Sequence, residues 1–246
     1  MTFIKYGFAA CLSAALLSSC AATDTASQNK SPIVTIVSVV PTPVAPVDLV
    51  AILPAAPLPN SEADKADLAT LLELQHSRTQ AMCDRAKADV TISLKQFFRG
   101  MGINYEPALA PAVEDVFKLA EPVQHQASST AKDYYKRLRP YDASADLVPC
   151  ISKTPGSFAY PSGHTVWAYS TAILLVRMLP EKRDALFARA ADYARQRMIG
   201  GVHYPSDVDA GRVGGTVVAD HLLANINFVR KLDAATPELK RALGSQ

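Results

Sequence analysis

Residues 161–179, PSGHTVWAYSTAILLVRML, carry the strongest fold signal in the sequence. From Ser162 onward the segment is apolar on nearly every side, which is typical of a central helix that its neighbours bury. Pro161 suits the first helical turn and Ser162 caps it. His164 is the exception, because an imidazole at the mouth of so apolar a helix is either a satisfied core histidine or part of a site.

Other segments repeat the helical spacing of apolar residues. A first helix is predicted after Asn60-Ser61, where Ser61 and Asp64 resemble a helix cap. Further helices are predicted from Leu109 to Ala120, over 128–138, over 181–199 and over 206–231. No strand-like alternation and no internal repeat is evident. We therefore predict an all-α fold, a single-domain helical bundle whose active site is formed by helix starts and loops at one end.

The N-terminal residues predict export. Residues 1–20 contain Lys5 and then a short apolar run that ends in LSSC, which resembles the lipobox of bacterial lipoprotein signals and makes Cys20 the lipidation candidate. Ordinary cleavage after a nearby small residue is the alternative. Residues 21–58, rich in Pro and Ala, predict a semi-rigid tether, and 59–246 the helical domain. We expect an exported, periplasmic protein that contacts the membrane only through a lipid on Cys20.

Bulk composition narrows the partners. The 246 residues are 49% hydrophobic and 20% charged, with a formal net charge of +2, and no dense basic stripe indicates nucleic-acid binding. Two cysteines remain after the export signal, Cys83 and Cys150. In an exported protein such a pair favours a disulfide over a metal site, which needs more ligands at closer spacing.

Three clusters carry chemistry suited to phosphate. KDYYKRLRP (132–140) places Lys132 and Arg139 two helical turns apart, although a solvated basic face is the usual explanation of such a pattern. PSGH (161–164) offers Ser162, Gly163 and free helix-start amides, which bind anions. RMIGGVHYPSD (197–207) supplies Arg197 and, one turn apart, His203 and Asp207, a spacing that lets a carboxylate orient an imidazole.

Together the three clusters resemble the tripartite signature of the superfamily that unites type 2 phosphatidate phosphatases, bacterial acid phosphatases and vanadium haloperoxidases. YPSGHT (160–165), HYPSDVDAGR (203–212) and the Pro-rich LPAAPLPNSEADKADL (53–68) are most similar to exported bacterial class A nonspecific acid phosphatases. The family pattern usually has Ser before the third-cluster Arg, where this chain has Gln196. A Gln amide can still donate to phosphate, so the expected effect is on affinity.

The resemblance implies a residue-by-residue assignment of the site. His203 is the expected nucleophile, Asp207 its orienting carboxylate and His164 the general acid and base, with a mildly acidic optimum. The expected phosphate-binding groups are Lys132, Arg139, Ser162, Gly163 and Arg197.

The implied activity is a phosphomonoesterase of broad specificity that forms a phosphohistidine and needs no metal or other cofactor. The partners expected are small-molecule phosphate monoesters, and assembly into a homo-oligomer is left open. The alternatives are a lipid or isoprenoid-diphosphate phosphatase, a vanadium haloperoxidase, and a lipoprotein that binds phosphorylated ligands without hydrolysing them.

Overall fold

A computed structural model describes residues 46–244, which form helices and loops without a strand. The helices, in chain order, are α1 (Glu62–Ser77), α2 (Gln80–Ala88), α3 (Leu94–Arg99), α4 (Pro111–Tyr135), α5 (Pro140–Ala143), α6 (Gly163–Met178), α7 (Arg183–Ile199), α8 (Pro205–Ala224) and α9 (Ile226–Ala242). The all-α prediction is confirmed. The predicted export signal and the Cys20 lipidation site lie outside the described residues.

Helix α6 is the centre of the bundle and packs against α4, α7, α8 and α9. The closest neighbour is α8, which presents glycines to α6. A β-carbon at Gly211 would lie 2.7 Å from Cβ of Thr165 and 2.8 Å from the carbonyl oxygen of Ser162. The two helices can approach this closely only without a side chain at that position. Their first turns are therefore held side by side.

Two helix boundaries differ from the predicted ones. The segments predicted as separate helices around 109–120 and 128–138 form the single helix α4, which continues through Pro122. Buried residues recur along α4 on both sides of Pro122, so both halves stay packed on the core. The long helix predicted over 206–231 is instead two helices. It breaks at Asn225, whose side chain accepts hydrogen bonds from the amides of Asn227 and Phe228 and so caps α9.

The packed domain begins earlier than predicted. The tether was expected to extend to residue 58, but Val47, Leu49 and Leu53 are buried in the main hydrophobic core. The hydroxyl groups of Tyr135 and Tyr160 donate to the carbonyl oxygens of Leu53 and Pro54 at 3.2 and 2.7 Å. The Pro-rich segment around these residues is thus held against the bundle by its apolar side chains and its backbone carbonyls.

Cys83 and Cys150 are joined by a disulfide, with Cα atoms 5.8 Å apart. The bond ties α2 to the loop between α5 and α6. A small second core, which includes Ala86 and Ile199, packs beside it. None of the helices in the described part of the chain is long and apolar enough to cross a membrane.

Candidate active site

The starts of α6 and α8 meet at one end of the bundle. The Ser162 amide donates to the carbonyl oxygen of Asp207 at 2.9 Å. The Ser162 hydroxyl caps α6 by accepting from the amide and the hydroxyl of Thr165. Helix α6 begins at Gly163, so Pro161 precedes the cap and is not in the first turn as predicted. The amides of Gly163 and His164 remain without intrahelical acceptors, and such amides suit an anion.

His203 and Asp207 form a buried pair at the start of α8. Nδ1 of His203 lies 3.2 Å from Oδ2 of Asp207, and the two residues are 1% and 0% exposed. Nη1 of Arg139 is 2.6 Å from Nε2 of His203. A guanidinium can only donate, so Nε2 accepts and the ring proton lies on Nδ1, directed at the carboxylate. Nε2 therefore keeps the lone pair that a nucleophile needs.

Three cations beside this pair have no carboxylate within ion-pair distance in the described part of the chain: Lys132, Arg139 and Arg197. Lys132 donates to the carbonyls of Phe158 and Ala159, and Arg139 donates to the carbonyls of Ser157 and Val202. Arg197 is 5% exposed, and its Nε and Nη1 find no acceptor among the described residues. Buried charges are normally paired, so this cluster carries uncompensated positive charge.

The pKa values of these groups reflect burial and their mutual repulsion. Burial and the nearby Arg139 lower the pKa of Lys132 to about 7. Burial lowers the pKa of Arg197 to about 10, with Arg139 adding to the shift. The pKa of His203 falls well below its ordinary value because the ring is buried among the three cations. Burial raises the pKa of Asp207 to about 6, although the neighbouring cations oppose this. The lowered values of Lys132, Arg197 and His203 reflect unfavourable positive charge, which an anion would neutralise.

His164 is held by residues that its sequence neighbourhood does not reveal. Nε2 donates to the carbonyl oxygen of Val90 at 3.0 Å, and the ring stacks on Tyr193 at a centroid distance of 6.2 Å. Burial and then Arg197 lower the pKa of His164 to about 3. A pKa this low makes the imidazole of His164 neutral near pH 7, and an acid role requires an anion beside it that raises this pKa.

A cavity of about 860 Å³ opens beside the helix starts. Lys132, Gly163 and His164 line it together with polar residues of α4 and with Trp167. Its wall does not include His203, Arg139 or Arg197, which lie deeper. The geometry separates a buried phosphate position from a wider space for the remainder of a substrate.

Comparison with known proteins finds relatives of this region. Residues 119–230 match the PAP2 superfamily. A non-specific acid phosphatase from Providencia stuartii is 32% identical over 119 residues, covering 47% of this chain and 48% of that protein. One from Salmonella typhimurium is 29% identical over 164 residues, covering 63% and 65%. The chain thus spans between about half and two thirds of these relatives.

Solved structures share the helical fold of this chain. A transmembrane PAP2-type phosphatidylglycerolphosphate phosphatase from Bacillus subtilis superposes with a TM-score of 0.52 at 19% identity, covering 70% of this chain and 89% of that one. A bacterial vanadium-dependent iodoperoxidase superposes with a TM-score of 0.53 at 16% identity, covering 74% and 52%. At these identities the likeness concerns the helical architecture.

All eight predicted site residues lie around the starts of α6 and α8, but Gln196 points elsewhere. Its amide donates to Asp192 at 2.9 Å and is buried within α7, so it is not directed at the phosphate position as expected. The negative charge of Asp192 gives that amide a stronger acceptor than a distant ligand. No cluster of three His, Cys, Asp or Glu residues that could hold a metal occurs within residues 46–244.

The sequence reasoning missed the residues that fix the two histidines: Arg137, Val90 and Tyr193. Arg137 lies inside the first cluster, KDYYKRLRP, and the available signal was that this cluster has two basic residues, Lys136 and Arg137, beyond the two assigned to phosphate. Val90 and Tyr193 carry no motif. Both reach His164 through tertiary packing of α7 and the loop after α2.

Proposed function

We propose that the protein is an acid phosphatase that hydrolyses phosphate monoesters through a phosphohistidine at His203. The observation that carries the proposal is the contrast among buried cations. Within residues 46–244, Lys132, Arg139 and Arg197 have no carboxylate partner, whereas the buried Arg137 and Arg189 are paired with aspartates. A cluster of three uncompensated cations beside an unprotonated imidazole suits a phosphoryl group, whose equatorial oxygens carry the charge in the transition state.

The proposed reaction has two displacements. Nε2 of His203 attacks phosphorus as Arg139 transfers its hydrogen bond to a phosphate oxygen, and the bond to the leaving oxygen breaks. His164, protonated in the presence of the bound dianion, gives its proton to that oxygen. A water molecule then attacks phosphorus, His164 takes its proton, the phosphorus–nitrogen bond breaks, and inorganic phosphate leaves. Asp207 stabilises the positive charge on His203 between the two steps. The three cations supply the stabilising charge, so the proposal needs no metal.

The test is hydrolysis of p-nitrophenyl phosphate by the purified full chain with and without a chelator. We expect turnover that survives the chelator and is lost in His203→Ala, with the fold intact by circular dichroism. His76→Ala, at the exposed end of α1, is the matched histidine control and should keep full activity.

The intermediate can be tested separately. With a labelled phosphoester, a phosphohistidine gives protein-bound label that is stable in alkali and lost in acid, and His203→Ala should take up none. In His164→Ala, a good leaving group such as p-nitrophenolate should still give one burst per protein molecule before turnover stalls. Full steady-state activity of His203→Ala would refute the nucleophile assignment.

Lipid phosphate esters are the second candidate substrates, because the fold resembles that of a phosphatidylglycerolphosphate phosphatase. Phosphatidate vesicles and p-nitrophenyl phosphate should be assayed in parallel. The wide cavity beside the phosphate position supports broad specificity, which predicts measurable kcat/KM for several unrelated small monoesters. Phosphate binding without turnover on any substrate would support the non-hydrolysing alternative.

Export and lipidation are part of the proposal and rest on residues 1–20. A Cys83–Cys150 disulfide is compatible with an oxidising compartment. Labelling cells with palmitate tests the anchor, since wild-type protein should take up label and Cys20→Ser should not.

A further inference from the structure

Arg137 lies in the loop between α4 and α5. After Arg139, it is the second arginine that contacts the His203–Asp207 pair. It is 7% exposed, and its two terminal nitrogens make four hydrogen bonds. Nη1 donates to Oδ1 of Asp207 at 2.9 Å and to the hydroxyl of Ser206 at 2.6 Å. Nη2 donates to Asp64 at 2.8 Å and to Asp67 at 2.9 Å. The guanidinium also lies 3.8 Å from the centre of the Tyr204 ring.

The oxygens of Asp207 are divided between two tasks. Oδ1 accepts from Arg137, while Oδ2 accepts from the amide of Tyr204 at 2.8 Å and faces Nδ1 of His203. The bond to Oδ1 therefore sets the rotation of the carboxylate and with it the direction of Oδ2. Because Asp207 is fully buried, it has no solvent to replace a lost partner.

Helix α1 holds Arg137 in turn. Asp64 and Asp67 lie one turn apart on α1, and Asp67 also accepts from the amide and the hydroxyl of Ser206. Arg137 is thus paired with three carboxylates, which distinguishes it from the cations that face the phosphate position. Helix α1 precedes the region that matches the PAP2 superfamily, yet its first two turns connect directly to the start of α8.

We propose that Arg137 is a positioning residue of the active site, which holds the Asp207 carboxylate in the orientation that keeps the His203 proton on Nδ1. The kinetic part of this inference rests on the proposed phosphatase function. Arg137 acts through Asp207 and does not contact substrate. In its absence, Asp207 loses its largest compensating charge, is protonated at higher pH, and no longer holds Oδ2 against Nδ1 of His203.

The charged and titratable groups facing Asp207 are Lys132 of α4, Arg137 and Arg139 of the next loop, Tyr160 before α6, and His203 and Tyr204 before α8. Across Arg137 lie the two carboxylates of α1. Arg137 and Lys132 both lower the pKa of Asp207, and the effect of Arg137 is the larger of the two. A shift in the acidic limb of the pH–rate profile when Arg137 is replaced thus reports on the protonation of Asp207.

The kinetic test compares Arg137→Met, Arg137→Lys and the control Arg189→Met. Arg189 is also a buried arginine bound by aspartates, but it does not contact Asp207. Arg137→Met should lower kcat by about 10- to 100-fold, the loss expected for a charge-assisted hydrogen bond, with KM changed by less than about threefold. Its acid limb should move to higher pH. Arg137→Lys should recover part of kcat, and Arg189→Met should keep the wild-type acid limb.

A double-mutant cycle with Asp207→Asn separates positioning from an independent role. If Arg137 acts through Asp207, Arg137→Met causes little further loss of kcat in the Asp207→Asn background. Losses that multiply in the double variant, or an unmoved acid limb in Arg137→Met, would overturn the inference. Arg137→Lys, which keeps the charge, serves the same cycle if Arg137→Met does not fold.

Nitrogen-15 NMR of the histidine rings gives a test that needs no turnover. The His203 signals, assigned with His203→Ala, should show the same Nδ1 resonance in wild type and in Arg189→Met, and a shifted Nδ1 resonance in Arg137→Met, because the hydrogen bond from Nδ1 to Asp207 changes. An unchanged His203 signal in folded Arg137→Met refutes positioning. Absence of phosphatase activity in wild type would refute the proposed function and leave this result to decide the role of Arg137.

Discussion

Replacing Arg197 with Met separates the stability of the fold from the requirements of the site. The pKa of Arg197 falls from 12.5 to about 10 because the side chain is buried. One pKa step corresponds to about 1.4 kcal/mol, so the charged form is about 3 kcal/mol less favourable in the fold than in water. Met fills a similar volume without charge. We expect Arg197→Met to raise the free energy of unfolding by about 1–3 kcal/mol, or Tm by roughly 3–10 °C.

The assay is thermal unfolding with and without inorganic phosphate, beside hydrolysis of p-nitrophenyl phosphate. Phosphate at 100 times its Kd should stabilise wild type by about 2.7 kcal/mol and should have far less effect on Arg197→Met, which should also lose activity. Arg189→Met is the control on the same helix. Arg189 is 3% exposed but paired with Asp89, so its removal leaves a buried carboxylate and should cost about 3–5 kcal/mol.

Destabilisation of Arg197→Met in the absence of phosphate would refute this reasoning, because it would mean that Arg197 supports the fold as Arg189 does. An undiminished stabilisation of the variant by phosphate would equally refute the assignment of Arg197 to the anion.

Three further predictions follow from the same structure. The pH profile of kcat/KM should be bell-shaped, falling below about 6 as Asp207 gains its proton and above about 7 as Lys132 loses its own; a profile flat from about pH 5 to about pH 9 would contradict this. Cys83 and Cys150 are 67 residues apart, and replacing both with Ser should lower the free energy of unfolding by about 4 kcal/mol. Urea denaturation measures this loss, and an unchanged midpoint of unfolding would contradict it. Gly215→Ala would place a β-carbon 2.6 Å from a carbonyl oxygen of α6 and should lose about 1–3 kcal/mol by overpacking; equal or higher Tm would show that α8 moves freely.

The site was predictable where its geometry is local in sequence. His203 and Asp207 are four residues apart at a helix start, so their contact follows from one turn of backbone. Ser162 and Gly163 belong to the cap of α6 and are read from capping rules. The seven-residue interval between Lys132 and Arg139 is different. Helix α4 ends at Tyr135, and Lys136 adopts a left-handed conformation, so Arg139 reaches the site from a loop and not from the second helical turn expected.

What could not be predicted depends on distant partners. The bond between Arg137 and Asp207 spans 70 residues, and the bond from His164 to Val90 spans 74. Neither pair has a spacing rule, because tertiary packing of α1 and of the loop after α2 decides it. The break at Asn225 was readable, since an Asn before an apolar run is a cap signal. The continuity of α4 through Pro122 was not, because packing of its buried face overrides the local cost of proline.

The fold is able to pair buried cations with carboxylates, so the unpaired cations of the site do not reflect a lack of available carboxylates. Helix α7 carries Arg189 and Arg197 two turns apart, and both are buried. Asp89 and Asp192 meet the first, so the bundle has carboxylates available within reach of α7. Among the described residues 46–244, Arg197 has no carboxylate partner, and neither do Lys132 and Arg139 across the site. Each lone cation lowers stability, and under the proposed function a phosphoryl group with three equatorial oxygens would offer each of them an acceptor.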